Sequence, residues 1–158
     1  MNKEIKNFFH TQLNEHELVL KKTKLHLEKD FIKLVNICVE SVKKKKKIIF
    51  FGNGGSASDS QHLATELTVR FSKNRKAIPA LSLVTDTSTI TAVANDFGFK
   101  YLFSRQIEAI GEKGDVAIGI STSGKSQNVI EGLKSAKKKK NKMYNFYWKK
   151  FRRLRKIL

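Results

Sequence analysis

The sequence predicts an α/β fold, a three-layer αβα arrangement around a parallel sheet with helices in front of it. Three observations carry that reading. From Lys47 onward, short apolar runs alternate with segments of helical period. The first run passes into glycines and a helix start in "KIIFFGNGGSAS". A later one, "DVAIGISTSGKS", repeats the same order of strand, tight turn and helix.

Residues 2–46 read as two helices. Ile5, Phe8, Phe9, Leu13, Leu20 and Leu27, then Phe31, Leu34, Val35, Cys38 and Val42, recur at three-, four- or seven-residue spacing. Asp30 is the expected N-cap of the second helix. The apolar stripes are wide enough to pack on a core or on another subunit. The strand from Lys47 leads to a helix over about Ser56–Phe71. "ALSLVTD" (Ala80–Asp86) is a second strand, with helices near Thr87–Asn95 and Tyr101–Ile110. The third strand, in "DVAIGISTSGKS", precedes the helix "QNVIEGLKSAKKKK". Helices are expected on both faces of the sheet. Ligands of such sheets bind beyond the carboxyl ends of the strands, where Gly52–Ser56 and Ser121–Ser126 both fall.

With 158 residues, 40% of them apolar, the chain suits one globular domain. A lone cysteine, Cys38, excludes an internal disulfide and fits a reducing cytoplasm. The first residues show no apolar secretory core, and no run approaches a membrane span, so no membrane partner is expected. Of the net +18, Lys137–Leu158 hold 11 and the run Lys43–Lys47 five, leaving +2 for the rest. A nucleic-acid surface spreads its charge over a folded face, so no nucleic-acid partner is expected.

Four motifs bear on chemistry. "GNGGSA" (Gly52–Ala57) fits the dinucleotide fingerprint, with glycines that let backbone N–H groups approach an anion at a helix N-terminus. The acid a nicotinamide enzyme needs on the next strand has only Asp86 as a late candidate. His62 and Glu66, four residues apart, share a helix face and suit either a divalent metal or a general base; a surface hydrogen bond is the plainer alternative. "GISTSGKS" (Gly119–Ser126) matches the Walker A pattern. A nucleotide-binding loop also needs a later strand ending in a magnesium-binding Asp, and none follows. The hydroxyls of Ser121, Thr122, Ser123 and Ser126 instead suit one phosphate monoester. "NDFGF" (Asn95–Phe99) reads as a loop whose Asn95 and Asp96 serve the site only if they reach the same pocket.

Taken together, "GNGGSASDSQHLATEL", "TDTSTITAVANDFGF" and "FSRQIEAIGEKGDVAIGISTSGKSQNVIEGLKSA" resemble the sugar-isomerase (SIS) domain of the phosphoheptose isomerase family. The resemblance covers about Lys47–Ala136 and implies a flavodoxin/Rossmann-like αβα fold. It divides the chain into an N-terminal helical segment (1–46), an incomplete sugar-phosphate-binding domain (47–136) and an aberrant basic tail (137–158). The family converts sedoheptulose 7-phosphate to D-glycero-D-manno-heptose 7-phosphate, a precursor for lipopolysaccharide or capsule. It implies a cytoplasmic homotetramer with one zinc per subunit, at subunit interfaces. By position, Asn53, Gly54, Gly55, Asn95 and Asp96 match substrate contacts, and Ser121, Thr122, Ser123 and Ser126 match the phosphate loop. His62 and Glu66 match zinc ligands, and Glu66 also matches a substrate contact and the catalytic base.

The resemblance stops after Ala136, where the family continues with further strands and a late Gln and His, the remaining zinc ligands; that His is also the general acid. The last strands are therefore expected to be missing, leaving the third strand with an open edge. All four histidines here (His10, His16, His26, His62) precede this point. Runs of lysine codons invite slippage by one base. Moved forward one nucleotide from Asn141, the tail reads as an apolar strand and a Thr-Gly-Lys turn, so a frameshift and an inactive chain are expected. A non-catalytic SIS sugar-phosphate sensor or a replication-initiator-binding scaffold is the alternative, against which the His62/Glu66 pair and Asn95–Asp96 speak.

Overall fold

The computed structural model describes residues 2–139 and 142–147, and the chain divides at Asn36/Ile37 into two compact units. In the first unit, helix α1 (Asn2–His26) buries none of its residues. Helix α2 (Glu28–Lys43) follows a bend at Leu27 and runs on into the second unit. Asp30 lies inside the first turn of α2 and is not its cap. The reason is local: Leu27 N–H bonds Thr23 O and Phe31 N–H bonds Leu27 O, so helical bonding continues across the bend. The first N–H groups of α2 are not all orphaned as at a free helix start.

The second unit is built on a parallel sheet in the order β2-β1-β3-β4. Its strands are β1 (Ile48–Gly52), β2 (Ala80–Ser82), β3 (Val116–Ser121) and β4 (Lys142–Tyr147). Every residue of β1 is buried, as expected of a central strand covered on both faces. Helix α3 (Gly55–Thr68) joins β1 to β2, and α6 (Gln127–Lys138) joins β3 to β4. Between β2 and β3 come α4 (Thr87–Asp96), a 3₁₀ turn and α5 (Leu102–Ile110).

The open edge expected for β3 is not found. β4 pairs with it from Val116↔Lys142 to Ser121↔Tyr147. The segment "KMYNFY" is rich in aromatic residues that favour strands, and α6 returns the chain beside β3. Lys137 and Lys138, the first residues of the expected basic tail, close α6. The rest of that tail, 140–141 and 148–158, lies outside the described residues.

Two other boundaries differ from the sequence reading. The second strand ends at Ser82, short of Asp86, because the chain turns there: Thr85 Oγ1–H donates to Ser82 O at 3.3 Å. Asp86 then caps α4, accepting from Thr89 N–H at 3.0 Å and Thr89 Oγ1–H at 2.6 Å. Those two bonds, the hydroxyl's first, hold its carboxyl below the ordinary value. A carboxylate committed to its own helix is not the ribose acid of a dinucleotide site. Helix α3 ends at Thr68, before the expected Phe71. Arg75 donates to Glu66 O and Leu67 O, closing the last turn from outside it.

Packing on the sheet follows strand alternation. Ile49 and Phe51 belong to the core with α5 and α6, where the Phe51 and Phe103 rings meet at 5.1 Å. Ser56, Ser60 and Ala64, one helical turn apart and all buried, give α3 a stripe of small side chains. The chain steps one way from β1 to β2 and the other way from β3 to β4. With right-handed crossovers, α3 and α6 lie on opposite faces, and β1/β3 is the point where the winding reverses.

Candidate active site

The carboxyl ends of β1 and β3 are neighbours, Gly52 opposite Ile120, so the loops that follow them open side by side. Each leads directly into a helix, and the positive dipole ends of both helices face the same edge of the sheet.

In the first loop the glycines serve different purposes. A Cβ on Gly52 would come 2.7 Å from Ser56 Cβ and 2.8 Å from Ile120 O, so only glycine lets this turn pass β3. Gly54, the N-cap of α3, has φ +57°, a left-handed conformation that favours glycine. Gly55 meets neither constraint, since a Cβ there would face open space.

The second loop is tied to itself through its hydroxyls. Ser121 Oγ accepts from Gly124 N–H at 3.1 Å and lies 3.1 Å from Ser126 Oγ. Ser123 Oγ accepts from Lys125 N–H, also at 3.1 Å. Gly124, at φ +63°, makes the turn. Ser126 is the N-cap of α6, yet its side chain makes no capping bond to that helix. Its hydroxyl lies beside Ser121 Oγ at the start of α6, where an anion would meet the positive end of the helix dipole. Thr122 and Lys125 are exposed.

A residue absent from the sequence reading joins the two loops. Asn53 Nδ2–H donates to Asn128 Oδ1 and Asn128 Nδ2–H donates to Asn53 Oδ1, each at 2.8 Å. Asn128 is buried in the first turn of α6, on the stripe that also contains Gly132 and Ala136. The signal was present in the sequence: an amide two residues beyond a phosphate-type loop, at an otherwise apolar position.

On α3, His62 Nε2 and Glu66 Oε1 are 3.1 Å apart. His62 is exposed and Glu66 half-buried. Glu66 Oε2 is buried and has no hydrogen-bond partner, an orphaned carboxylate oxygen of the type a cation or a substrate hydroxyl satisfies. Imidazole and carboxylate are the donor types zinc accepts, but a catalytic zinc takes three protein ligands. Among the described residues no group of three or more His, Cys, Asp or Glu could hold a metal. His62 and Glu66 thus fit part of a zinc site, and among the described residues no third such ligand stands beside them.

Asn95 and Asp96 are not on a loop. They form the last turn of α4, and Asn95 Nδ2–H donates to Asp96 Oδ1 at 2.8 Å. Helical hydrogen bonding carries through to Phe97, whose N–H bonds Val93 O, so the helix absorbs the pair before Gly98 turns the chain. The hydrogen bond they make is to each other, and the structure does not join them to either loop. No helix among the described residues is long and apolar enough to cross a membrane.

Comparison with known proteins agrees with this layout. The SIS domain family matches residues 13–146. The chain is 55% identical over 130 residues to the phosphoheptose isomerase of Paramagnetospirillum magneticum, covering 82% of this chain and 68% of that protein. It is 47% identical over 131 residues to phosphoheptose isomerase 1 of Campylobacter jejuni, covering 83% of this chain and 70% of the relative. The structure of the phosphoheptose isomerase from Neisseria gonorrhoeae superposes with a TM-score of 0.85 at 34% identity, over 90% of this chain and 74% of the other. A strand, a glycine turn and a hydroxyl loop in this order, with identity of this extent, leave one assignment: the chain belongs to the SIS-domain phosphoheptose isomerases, a family of aldose–ketose isomerases.

Proposed function

We propose that the reaction of this site is the conversion of sedoheptulose 7-phosphate to D-glycero-D-manno-heptose 7-phosphate, feeding lipopolysaccharide or capsule synthesis in the cytoplasm. The observation that carries the proposal is the pairing of the two loops at the β1/β3 reversal, beside a helix bearing His62 and Glu66.

The substrate's phosphate sits in the Ser121–Ser126 loop, where Ser121, Thr122, Ser123 and Ser126 supply hydroxyls and α6 supplies its N-terminal N–H groups. The sugar lies towards Asn53, Gly54 and Gly55. Glu66 removes the proton beside the carbonyl to give an enediol. His62, through Nε2, holds Oε1 and so orients the carboxylate. Zinc would polarise the substrate oxygens when bound. Here His62 and Glu66 account for only part of its ligands. Asn95 and Asp96 enter the substrate site only if another subunit of a homotetramer brings them to it.

The 158-residue chain by itself turns over little or no substrate. Among the described residues no second group is placed to return the proton, a contribution of order 10²–10⁴ in rate. Turnover of sedoheptulose 7-phosphate, with and without zinc, is to be measured for this chain and for a version with the reading frame restored at Asn141. Turnover by the restored version alone is expected. Comparable turnover by both refutes the inactivity, and turnover by neither refutes the isomerase assignment.

A further inference from the structure

We infer that Asn128 is a positioning residue that fixes the carboxamide of Asn53 for the sugar end of the substrate; the inference rests on the sugar-phosphate reading above. Asn128 is 3% exposed, and its Oδ1 accepts two hydrogen bonds, from Asn53 Nδ2–H at 2.8 Å and from Val129 N–H at 2.9 Å. The backbone donor settles which end of the Asn128 amide is oxygen, since an NH₂ group there would face another N–H. That orientation passes to Asn53 through the reciprocal pair. Asn53 must turn its own NH₂ to Asn128 Oδ1 and its own oxygen to Asn128 Nδ2.

An amide has two N–H donors and two acceptor lone pairs. The pair uses one of each on Asn53, leaving one donor and one lone pair with a fixed sense. Asn53 is half-buried at the first loop, within reach of a ligand bound there. The free N–H and the free lone pair diverge to opposite sides of the amide, so one offers a donor and the other an acceptor to separate substrate oxygens. Without Asn128 the amide would turn freely and present either order. The pair also links the glycine turn to the first turn of α6, so the sugar and phosphate ends are held in one frame.

The test uses the 158-residue chain and its Asn128→Ala, Asn53→Ala and doubly substituted forms. Affinities for sedoheptulose 7-phosphate and for inorganic phosphate are measured by calorimetry, and the Asn53 side-chain amide is followed by ¹⁵N NMR. Asn128→Ala is expected to weaken heptose phosphate binding about tenfold, the scale of one lost hydrogen bond, while inorganic phosphate binds as before. The double substitution is expected to lose little beyond Asn53→Ala. The Asn53 amide protons are expected to move in Asn128→Ala without any ligand. Equal weakening towards both ligands, additive losses, or an unmoved Asn53 amide each overturn the proposal. A wild-type chain that binds no heptose phosphate while the Asn53 amide still moves refutes the functional reading and leaves the amide pair standing. If Asn128→Ala does not yield folded protein, Asn128→Ser, which keeps an acceptor near Val129 N–H, carries the same comparison.

Discussion

Replacing Asp115 with alanine is expected to destabilise the chain by about 3–5 kcal/mol, the cost of breaking a buried ion pair. Asp115 is fully buried at the amino edge of the sheet, away from the two loops. Its Oδ2 lies 2.8 Å from Lys47 Nζ and accepts from Glu112 N–H at 2.8 Å, while Oδ1 accepts from Lys47 N–H at 3.1 Å. Val116 N–H in turn donates to Lys47 O at 3.0 Å. These bonds pin the start of β1 to the start of β3, setting the register that later brings Gly52 opposite Ile120. Alanine would leave two backbone donors without their acceptor and the Lys47 ammonium with only Glu112 Oε1, at 3.8 Å. Against a typical total of about 5–15 kcal/mol, that loss is a large fraction of the stability. Urea unfolding checks it: the midpoint should fall with an unchanged slope. A midpoint within experimental scatter of wild type would show that the clamp contributes nothing.

The second large effect is expected at Gly52. Gly52→Ala places a methyl 2.8 Å from Ile120 O and 2.9 Å from Ser56 O, both backbone atoms that cannot swing aside. The chain must move β1, β3 or the start of α3, at a cost of about 1–3 kcal/mol by overpacking. Because those elements carry both loops, ligand binding should be lost with it. Gly55→Ala is the contrasting case. Its Cβ meets nothing and its φ is not positive, so thermal stability should be unchanged or slightly raised by the gain in helix propensity. Sugar-phosphate affinity should nonetheless fall, since the methyl would stand in the space assigned to substrate. Melting temperatures and affinities of the two variants together check both expectations. Equal stability in Gly52→Ala and wild type would contradict the close-approach argument.

The sheet and its two loops were legible because they rest on local rules: apolar runs closing in glycine or hydroxyl residues, then helix starts. What was not legible depends on contacts far along the chain. The end of α3 is fixed by Arg75, nine residues beyond Glu66, which periodicity does not report. Within the run Lys43–Lys47 the sequence distinguishes nothing, yet Lys46 pairs with Glu112 at 2.9 Å and Lys47 with Asp115. Asn95 and Asp96 resembled turn formers, but continued helical bonding to Phe97 kept them in α4. The three glycines of "GNGG" look alike in sequence, and only the neighbours of each Cβ separate them. Strand β4 was hidden by the charge of the tail, because the short run "KMYNFY" stands among lysines and arginines. Asn128 was missed for a similar reason, its partner being 75 residues away.

The most direct test of the sugar-phosphate assignment is calorimetric titration of sedoheptulose 7-phosphate and of ATP into wild type, Ser126→Ala and Lys125→Ala. Ser126 Oγ stands at the mouth of α6, 3.1 Å from Ser121 Oγ and with no capping bond to the helix, whereas Lys125 is exposed. Loss of Ser126's hydroxyl should weaken heptose phosphate binding by roughly tenfold, the scale of a hydrogen bond to a charged group. Lys125→Ala should weaken it less, and ATP should not bind tightly to any of the three. Tight ATP binding that disappears in Lys125→Ala, with heptose phosphate indifferent to Ser126, would mean that "GISTSGKS" is a nucleotide loop and would contradict the account.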